Sequence, residues 1–307
     1  MTRRLGWAPY ALLLPSLIYL LLFFAAPMFQ AFALALQDPA GEFSFVSVER
    51  MLRDVNFRNS LFTTLALVVL VLPLQLFLAM TMALVVNARL KGSGLWLYVY
   101  ALPLGISELS AGIVWVSIFT QRGWLNSILQ GLGLIDRPII WQSSESMWLL
   151  VLLVVIAEAW RATSIIMVIL VAGLQSIPPE YLEAAEVYGA TTMQKVRHVV
   201  LPMLRPALQV ALILRTILAF QVFATVIALA GSGLHVLAGE ARLWATSIDN
   251  DNVAAAYAGV ILILSIFSTI LFLWLLPARA ELQACRPRLP ARPSTRPPRR
   301  AGSVASA

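Results

Sequence analysis

The sequence predicts an all-α polytopic membrane protein with six transmembrane helices. Hydrophobic residues make up 60% of its 307 residues, charged residues only 12%, and the mean hydropathy is +0.84. A soluble domain of average composition carries about twice as many charged residues. Since one helical crossing of the bilayer needs about 20 mostly apolar residues, we interpret the long apolar stretches of this chain as membrane spans.

The six predicted spans cover residues 9–36, 60–87, 95–120, 147–174, 207–230 and 254–276. We expect the first to be retained, because it is too long for a signal peptide and no small-residue cleavage site follows it. Kinks are expected at four prolines within or at the edges of these spans, namely Pro15, Pro27, Pro73 and Pro103. Proline is tolerated there because neighbouring helices can satisfy the backbone carbonyls that it leaves free.

The segments outside the spans follow from charge and composition. Residues 1–8 form a short N-terminus, and residues 277–307 form a basic tail, rich in Pro and Arg, that we expect to be disordered. Basic residues fall mainly on one side of the spans, namely Arg3, Arg4, Arg89, Lys91, Lys195, Arg197, Arg205 and the arginines of the tail. Lys and Arg mark cytoplasmic loops, so both termini and the segment between the fourth and fifth spans are predicted to be cytoplasmic.

The residues argue against an enzyme. Neither lysine, Lys91 or Lys195, lies in a Gly-Lys-Ser/Thr phosphate-binding loop, and both histidines are followed by valine, which excludes a His-Glu-x-x-His zinc pair. Cys285 is the only cysteine, so an intramolecular disulfide and a thiolate metal cluster are excluded as well. We therefore predict neither catalytic residues nor a metal site.

The segment between the fourth and fifth spans carries a long motif, EAAEVYGATTMQKVRHVVLP, at residues 183–202. The two prolines before it, Pro178 and Pro179, end one helix and suit the first turn of another. Alanines keep that second helix slim, and Gly189 permits a turn with positive φ. The pattern predicts a short helix, a turn and a further short helix.

This segment resembles the EAA signature of ABC importer permeases, which have the MetI-like fold. The resemblance implies that loop 175–206 couples the spans to an ATPase subunit through Glu183, Ala184, Ala185, Gly189, Leu201 and Pro202. It also implies that ATP is used by the partner and not bound by this chain. The implied partners are an ATPase dimer, a second homologous permease and an extracytoplasmic binding protein, in addition to membrane lipid; no nucleic acid is expected. Tyr188 departs from the signature, which often has Asp there.

Further segments resemble the carbohydrate-type permeases that form the first subunit of maltose, trehalose and glycerol-phosphate importers. They are residues 59–64 (NSLFTT), 160–178 (WRATSIIMVILVAGLQSIP) and 215–223 (RTILAFQVF). The implied solute is a sugar or an oligosaccharide. The pattern departs at Leu218, Gln221 and Ala224, where charged residues are common.

Polar residues inside the spans are candidates for the translocation path. Glu158 and Arg161 lie three residues apart on one face of the fourth span, and Arg215 and Gln221 lie in the fifth. Ionisable groups at this depth normally face a bundle interior or a wet cavity. Two explanations fit this spacing equally: a structural pair between Glu158 and Arg161, or contact of these side chains with the solute.

Two alternatives stay open. The first is an ABC importer for another solute, such as a polyamine or a peptide. The second is a secondary transporter or channel that works without ATP. Two observations count against that second alternative. It does not need the EAA segment, and Glu158 is the one residue inside the spans that we identify as an obvious proton carrier. The sequence names neither the solute nor the partner proteins.

Overall fold

The computed structural model describes residues 7–38, 41–88, 91–143 and 146–277. Most of the predicted N-terminal segment, and the predicted tail beyond Pro277 with Cys285, lie outside the described residues. The predictions made for those two segments therefore stay predictions.

All the regular elements of the described residues are helices, which confirms the all-α prediction. Those of the first half are α1 Ala8–Leu20, α2 Ala26–Ala35, α3 Val46–Arg53, α4 Phe57–Asn87, α5 Ser93–Ala101, α6 Glu108–Phe119 and α7 Trp124–Gly131. Those of the second half are α8 Met147–Gln175, α9 Pro179–Val187, α10 Thr192–Lys195, α11 Leu201–Met203, α12 Arg205–Phe220, α13 Ala224–Ala230, α14 Leu237–Thr246 and α15 Asp251–Leu275. Short π-helical and 3₁₀ turns connect some of them, at Leu21–Ala25, Leu102–Gly105, Val196–Val200 and Gly231–Gly233.

Four helices in the described part of the chain are long and apolar enough to cross a membrane: Tyr10–Ala35, α4, α8 and α15. They coincide with the predicted first, second, fourth and sixth spans. Three bent helix pairs also pass this test, which raises the number to as many as seven. The structure thus agrees with a membrane protein of several spans, and the predicted number of six is not confirmed.

The third and fifth predicted spans are not continuous helices. The segment Ser93–Gly105, which contains α5 and the 3₁₀ turn with Pro103, is bent by 100° relative to the segment Glu108–Gly131, which contains α6 and α7. Proline lacks the N–H that would continue a helix, which accounts for this first break. In the fifth span α12 ends at Phe220 and α13 begins at Ala224. Residues 221–223 contain neither proline nor glycine, so the second break does not have the cause of the first.

Helices α4 and α8 pack along each other in the centre of the molecule, and α12 packs against both. Buried apolar side chains form three clusters around them. The first lies at the N-terminal end of α8, near Leu150. The second lies at the C-terminal end of α8, near Leu174 and loop 175–206, and the third lies between α12, α14 and α15. Two of the buried polar side chains, Gln75 and Glu158, lie at about the middle of α4 and α8.

Candidate functional site

Loop 175–206 has the predicted helix, turn and second helix. Pro179 is the first residue of α9, and Glu180 lies in its first turn, where a carboxylate suits the positive end of the helix dipole. Gly189 follows α9 with φ of +74°, as predicted. Thr191 then caps α10 in a capping box with Gln194. The local sequence therefore determines the shape of this loop.

The coupling residues that the sequence predicts lie on the surface of this loop. Glu183, Ala184, Gly189 and Leu201 are exposed, whereas Ala185 and Pro202 are half-buried. No contact of these residues tests their role, which stays a prediction.

The loop is closed on itself and presents apolar side chains to its surroundings. Lys195 Nζ lies 2.6 Å from Glu186 Oε1, which joins the second helix of the loop to the first. At the turn Val187 and Tyr188 are 86% and 90% exposed, and Met193 is also exposed. Adjacent large apolar side chains on an exposed surface are typical of a protein interaction site.

Three helices meet at a buried charged pair. Arg215 Nη2, from α12, donates to Glu158 Oε2 of α8 at 2.8 Å. Arg215 Nε donates to Gln75 Oε1 of α4 at 2.8 Å, and Gln75 Nε2 donates to the Glu158 carbonyl at 2.7 Å. All three side chains are at most 1% exposed. Since each buried polar group has a partner, the desolvation of the two charges is compensated.

Two further side chains complete this network. Arg161 Nη2 lies 3.1 Å from Glu158 Oε2, so the predicted pair between these residues is present. Thr225 of α13 donates its hydroxyl to Glu158 Oε1 at 2.7 Å. One carboxylate thus receives two guanidinium groups and one hydroxyl, and it links α8 to α12 and to α13.

Gln221, the fourth candidate for the path, lies apart from this network. It follows the last residue of α12, and its side chain is exposed. With Ile217, it lines an open groove of about 460 Å³ between α12 and α15, where Ser265 and Thr269 add hydroxyl groups. The structure thus brings together three of the four predicted path residues and separates the fourth.

Three polar groups at this site were not predicted from the sequence: Gln75, Thr225 and Glu108. Glu108 Oε1 accepts the backbone N–H of Phe223 at 3.0 Å and of Thr225 at 3.3 Å. Glu108 lies within the predicted third span, so Glu158 is not the only acid inside the predicted spans. A search for every polar residue inside an apolar stretch would have found Gln75 and Glu108.

A second polar cluster joins α14 and α15 to the start of α4. Asp54 Oδ2 accepts the indole N–H of Trp244 and the hydroxyl of Tyr257, each at 2.8 Å. Burial raises the pKa of the Asp54 carboxyl, but hydrogen bonds from Asn56, Tyr257 and Trp244 outweigh it and hold the pKa below its usual value. Nearby, His235 Nδ1 lies 2.6 Å from Oε1 of the buried Glu240.

Comparison with known proteins agrees with this architecture. Residues 57–280 match the family described as binding-protein-dependent transport system inner membrane component. The chain is 30% identical over 231 residues to the trehalose/maltose transport system permease protein MalF of Thermococcus litoralis, covering 73% of this chain and 77% of that protein. It is 32% identical over 224 residues to the arabinooligosaccharides transport system permease protein AraP of Bacillus subtilis, covering 70% of each.

Solved structures share the fold. A chain from a bacterial ABC transporter involved in the import of the acidic polysaccharide alginate superposes with a TM-score of 0.72 at 23% identity, covering 87% of this chain and 95% of that one. A second structure, of a bacterial alginate ABC transporter in complex with an alginate pentasaccharide-bound periplasmic protein, gives 0.73 at 22% identity, with 88% and 96% covered. By the match over residues 57–280, the chain belongs to the family of inner membrane components of binding-protein-dependent transport systems.

Proposed function

We propose that this chain is a permease subunit of an ATP-driven importer that takes up a sugar or an oligosaccharide. The observation that carries the proposal is its membership of the transport family over residues 57–280. The choice of solute rests on the names of its relatives, which transport trehalose and maltose or arabinooligosaccharides. In this reading the chain provides a path through the membrane and performs no covalent chemistry.

The importer we propose has four kinds of component. A binding protein delivers the solute from outside, a second permease completes the pore, and two ATPase subunits hydrolyse ATP. The binding protein is supported by the family description and by the alginate transporter solved with its periplasmic protein. Loop 175–206 and both termini face the cytoplasm in this arrangement, because the basic residues of the sequence favour that side.

Loop 175–206 is the part that we propose couples the spans to the ATPase. Its support is geometric: α9 and the turn at Gly189 project exposed apolar side chains, and the Lys195–Glu186 pair closes the loop. Glu183 and the neighbouring alanines lie on the same short helix. A helix with small side chains allows another protein surface to approach closely, which suits docking into a groove.

For the translocation path we propose different tasks for the four candidate residues. Gln221 is exposed beside the open groove, and its amide suits hydrogen bonds to solute hydroxyl groups. Glu158 and Arg215 are buried and fully paired, so we assign them to positioning the helices that border the path. Arg161 is intermediate, because its side chain keeps 18% exposure while pairing with Glu158.

The test is uptake by the assembled importer in proteoliposomes. The complex is reconstituted with its second permease, ATPase and binding protein, and radiolabelled trehalose, maltose or an arabinooligosaccharide is supplied with the binding protein. We expect uptake of at least one of these sugars that requires both ATP inside the vesicles and the binding protein outside. Vesicles that lack the binding protein are the matched control.

Two outcomes contradict the proposal. Sugar uptake that proceeds without ATP indicates a secondary transporter or a channel. ATP-dependent uptake of glycerol phosphate, a polyamine or a peptide, with none of the three sugars, indicates an importer of another solute class. Mutation of Gln221 to Ala separately tests its assignment: we expect weaker uptake, and an unchanged half-saturating sugar concentration and rate remove it from the path.

A further inference from the structure

The two broken spans touch each other at their breaks. Helices α5 and α6 are separated by residues 102–107, and α12 and α13 are separated by residues 221–223. Glu108 is the first residue of α6, directly after the first break, and its carboxylate reaches the second. Non-helical backbone at membrane depth is tolerated only where it is buried in protein or lines a cavity. The groups that satisfy this backbone therefore determine where the break lies.

Glu108 satisfies the backbone at the start of α13. Its Oε1 accepts two N–H groups, those of Phe223 and Thr225, at 3.0 and 3.3 Å. Phe223, the residue that precedes α13, provides no side-chain cap of its own. A carboxylate that accepts backbone N–H groups forms charge-assisted hydrogen bonds, which are stronger than neutral ones. The cap that a local Ser or Asp usually provides comes here from another span.

Close packing joins the same two helices one turn further along. Gly112 lies four residues after Glu108, on the same face of α6. A Cβ atom at Gly112 would lie 2.6 Å from the Ala228 Cβ and 3.3 Å from the Thr225 Cα, too close for any side chain. Helices α6 and α13 are thus fixed to each other at two levels, by a carboxylate at one and by direct backbone approach at the other.

Thr225 connects this pair of helices to the buried charged network. Its N–H donates to Glu108, and its hydroxyl donates to Glu158 Oε1 at 2.7 Å. Glu158 in turn receives Arg215 from α12. The two helices on either side of the break, α12 and α13, are therefore both bonded to Glu158, while Glu108 bonds to the break itself.

We propose that Glu108 is a positioning residue for transport, which fixes the break of the fifth span and with it the orientation of Gln221 toward the groove between α12 and α15. The transport part of this inference rests on the proposed function. Without the carboxylate, two backbone N–H groups lose their acceptor, so the first turn of α13 frays. Gln221 lies only two residues before the first of these N–H groups, and its position becomes variable.

Hydrogen exchange tests the positioning directly. The assembled transporter in lipid nanodiscs is compared as wild type, Glu108→Ala, Glu108→Gln and Glu42→Ala, and mass spectrometry follows the peptide that covers residues 221–230. In Glu108→Ala we expect the amides of Phe223 and Thr225 to exchange roughly tenfold faster, which corresponds to the loss of a charge-assisted hydrogen bond. Glu108→Gln, whose amide oxygen still accepts, stays near wild type. Glu42 is an exposed glutamate outside the spans and serves as the matched control.

Transport provides the second readout. In proteoliposomes supplied with radiolabelled trehalose, we expect Glu108→Ala to import fewer trehalose molecules per ATP hydrolysed, and Glu108→Gln to restore most of this ratio. A loss of protein stability alone lowers the rate of trehalose import and the rate of ATP hydrolysis together, so the number of trehalose molecules imported per ATP stays unchanged. If Glu108→Ala does not assemble, Glu108→Asp replaces it: its carboxylate is withdrawn by one methylene, so faster exchange than in Glu108→Gln is expected.

The outcomes separate the two proposals. Unchanged exchange over residues 221–230 in Glu108→Ala overturns the positioning role. So does a Glu108→Gln variant that transports as poorly as Glu108→Ala while its amides remain protected, because charge and not position then matters. A wild-type complex that imports a polyamine or a peptide with ATP, but none of the tested sugars, overturns the proposed function instead, and the exchange comparison still decides the role of Glu108.

Discussion

Arg215 and Glu158, which are 57 residues apart in sequence, form an ion pair of 2.8 Å in which each side chain is 1% exposed. Burial of both charges is costly, and their attraction offsets the cost only while both are present. Arg161 also contacts Glu158, but its side chain is 18% exposed and retains some contact with the surroundings of the protein. Arg215 is therefore the partner on which Glu158 depends most.

Removing one member of this pair should destabilise the protein more than removing both. We expect Glu158→Leu to cost about 3–5 kcal/mol, because Arg215 stays buried without its counter-ion. The double variant Glu158→Leu/Arg215→Met should recover a large part of this loss. Thermal unfolding of the purified protein and its level in the membrane provide the measurements. Arg161→Met is the control and should cost much less; equal losses for Arg161→Met and Arg215→Met contradict the assignment.

A substitution of Gly189 tests the coupling role that we propose for loop 175–206, and it does so without a steric clash. A side chain there meets no atom within 4 Å, but φ of +74° is strained for any β-branched residue. We expect Gly189→Val to change the turn after α9 and to reduce both co-purification of the ATPase and the rate of solute-stimulated ATP hydrolysis. Gly133 has a similar φ of +69° and equally open surroundings, so Gly133→Val is a control with the same strain. Equal losses in both variants argue against a special role for the loop.

Asp54 should make stability depend on pH in the acid range. Its pKa is held below the usual value of 3.8, so the carboxylate stabilises the fold above that value. This contribution is lost as the pH falls through the lowered pKa. Asp54→Asn should therefore lower the free energy of unfolding by roughly 1–2 kcal/mol at neutral pH. When the pH is lowered below about 4, the unfolding temperature of this variant should decrease less than that of the wild type. The exposed Asp136→Asn is the control; parallel pH profiles for wild type and Asp54→Asn contradict the prediction.

His235 should matter because of the carboxylate beside it. Glu240 is 3% exposed, and its Oε2 has no hydrogen-bond partner among the described residues, so the contact of Oε1 with His235 is the main compensation for its burial. We expect His235→Ala to cost about 1–3 kcal/mol in thermal unfolding at pH 7. Adding Glu240→Gln should return part of that loss. His198→Ala, at an exposed histidine of loop 175–206, is the matched control; no recovery in the double variant refutes the pairing argument.

Local features of this protein were predictable from its sequence, and distant ones were not. The turn at Gly189 and the Glu158–Arg161 pair depend on residues within one or two helical turns of each other, so their spacing indicates them. The bond from Glu108 to Phe223 joins residues 115 positions apart, and no spacing rule reports it. The break at residues 221–223 was missed for the same reason: it contains neither Pro nor Gly, and the cap that stabilises it comes from α6.

Hydropathy likewise predicts where apolar stretches lie but not how each is divided. Residues 207–230 are apolar enough for one span. The summed hydropathy of this stretch is the same whether the helix is continuous or broken. Gln75 illustrates the related limit for polar residues. It is a single amide in an apolar stretch, and its importance appears only when Arg215 and Glu158 are seen to contact it.

The pair between Lys195 and Glu186, with the capping box at Thr191, has a mechanical consequence for loop 175–206. A loop that is bonded internally resists bending, so under the coupling that we propose a force applied at α9 is passed on to α12. Because its shape exists before any partner binds, little conformational entropy is lost on docking. Under the same proposal, the stiffness of this short segment determines how much of a partner's movement reaches the spans.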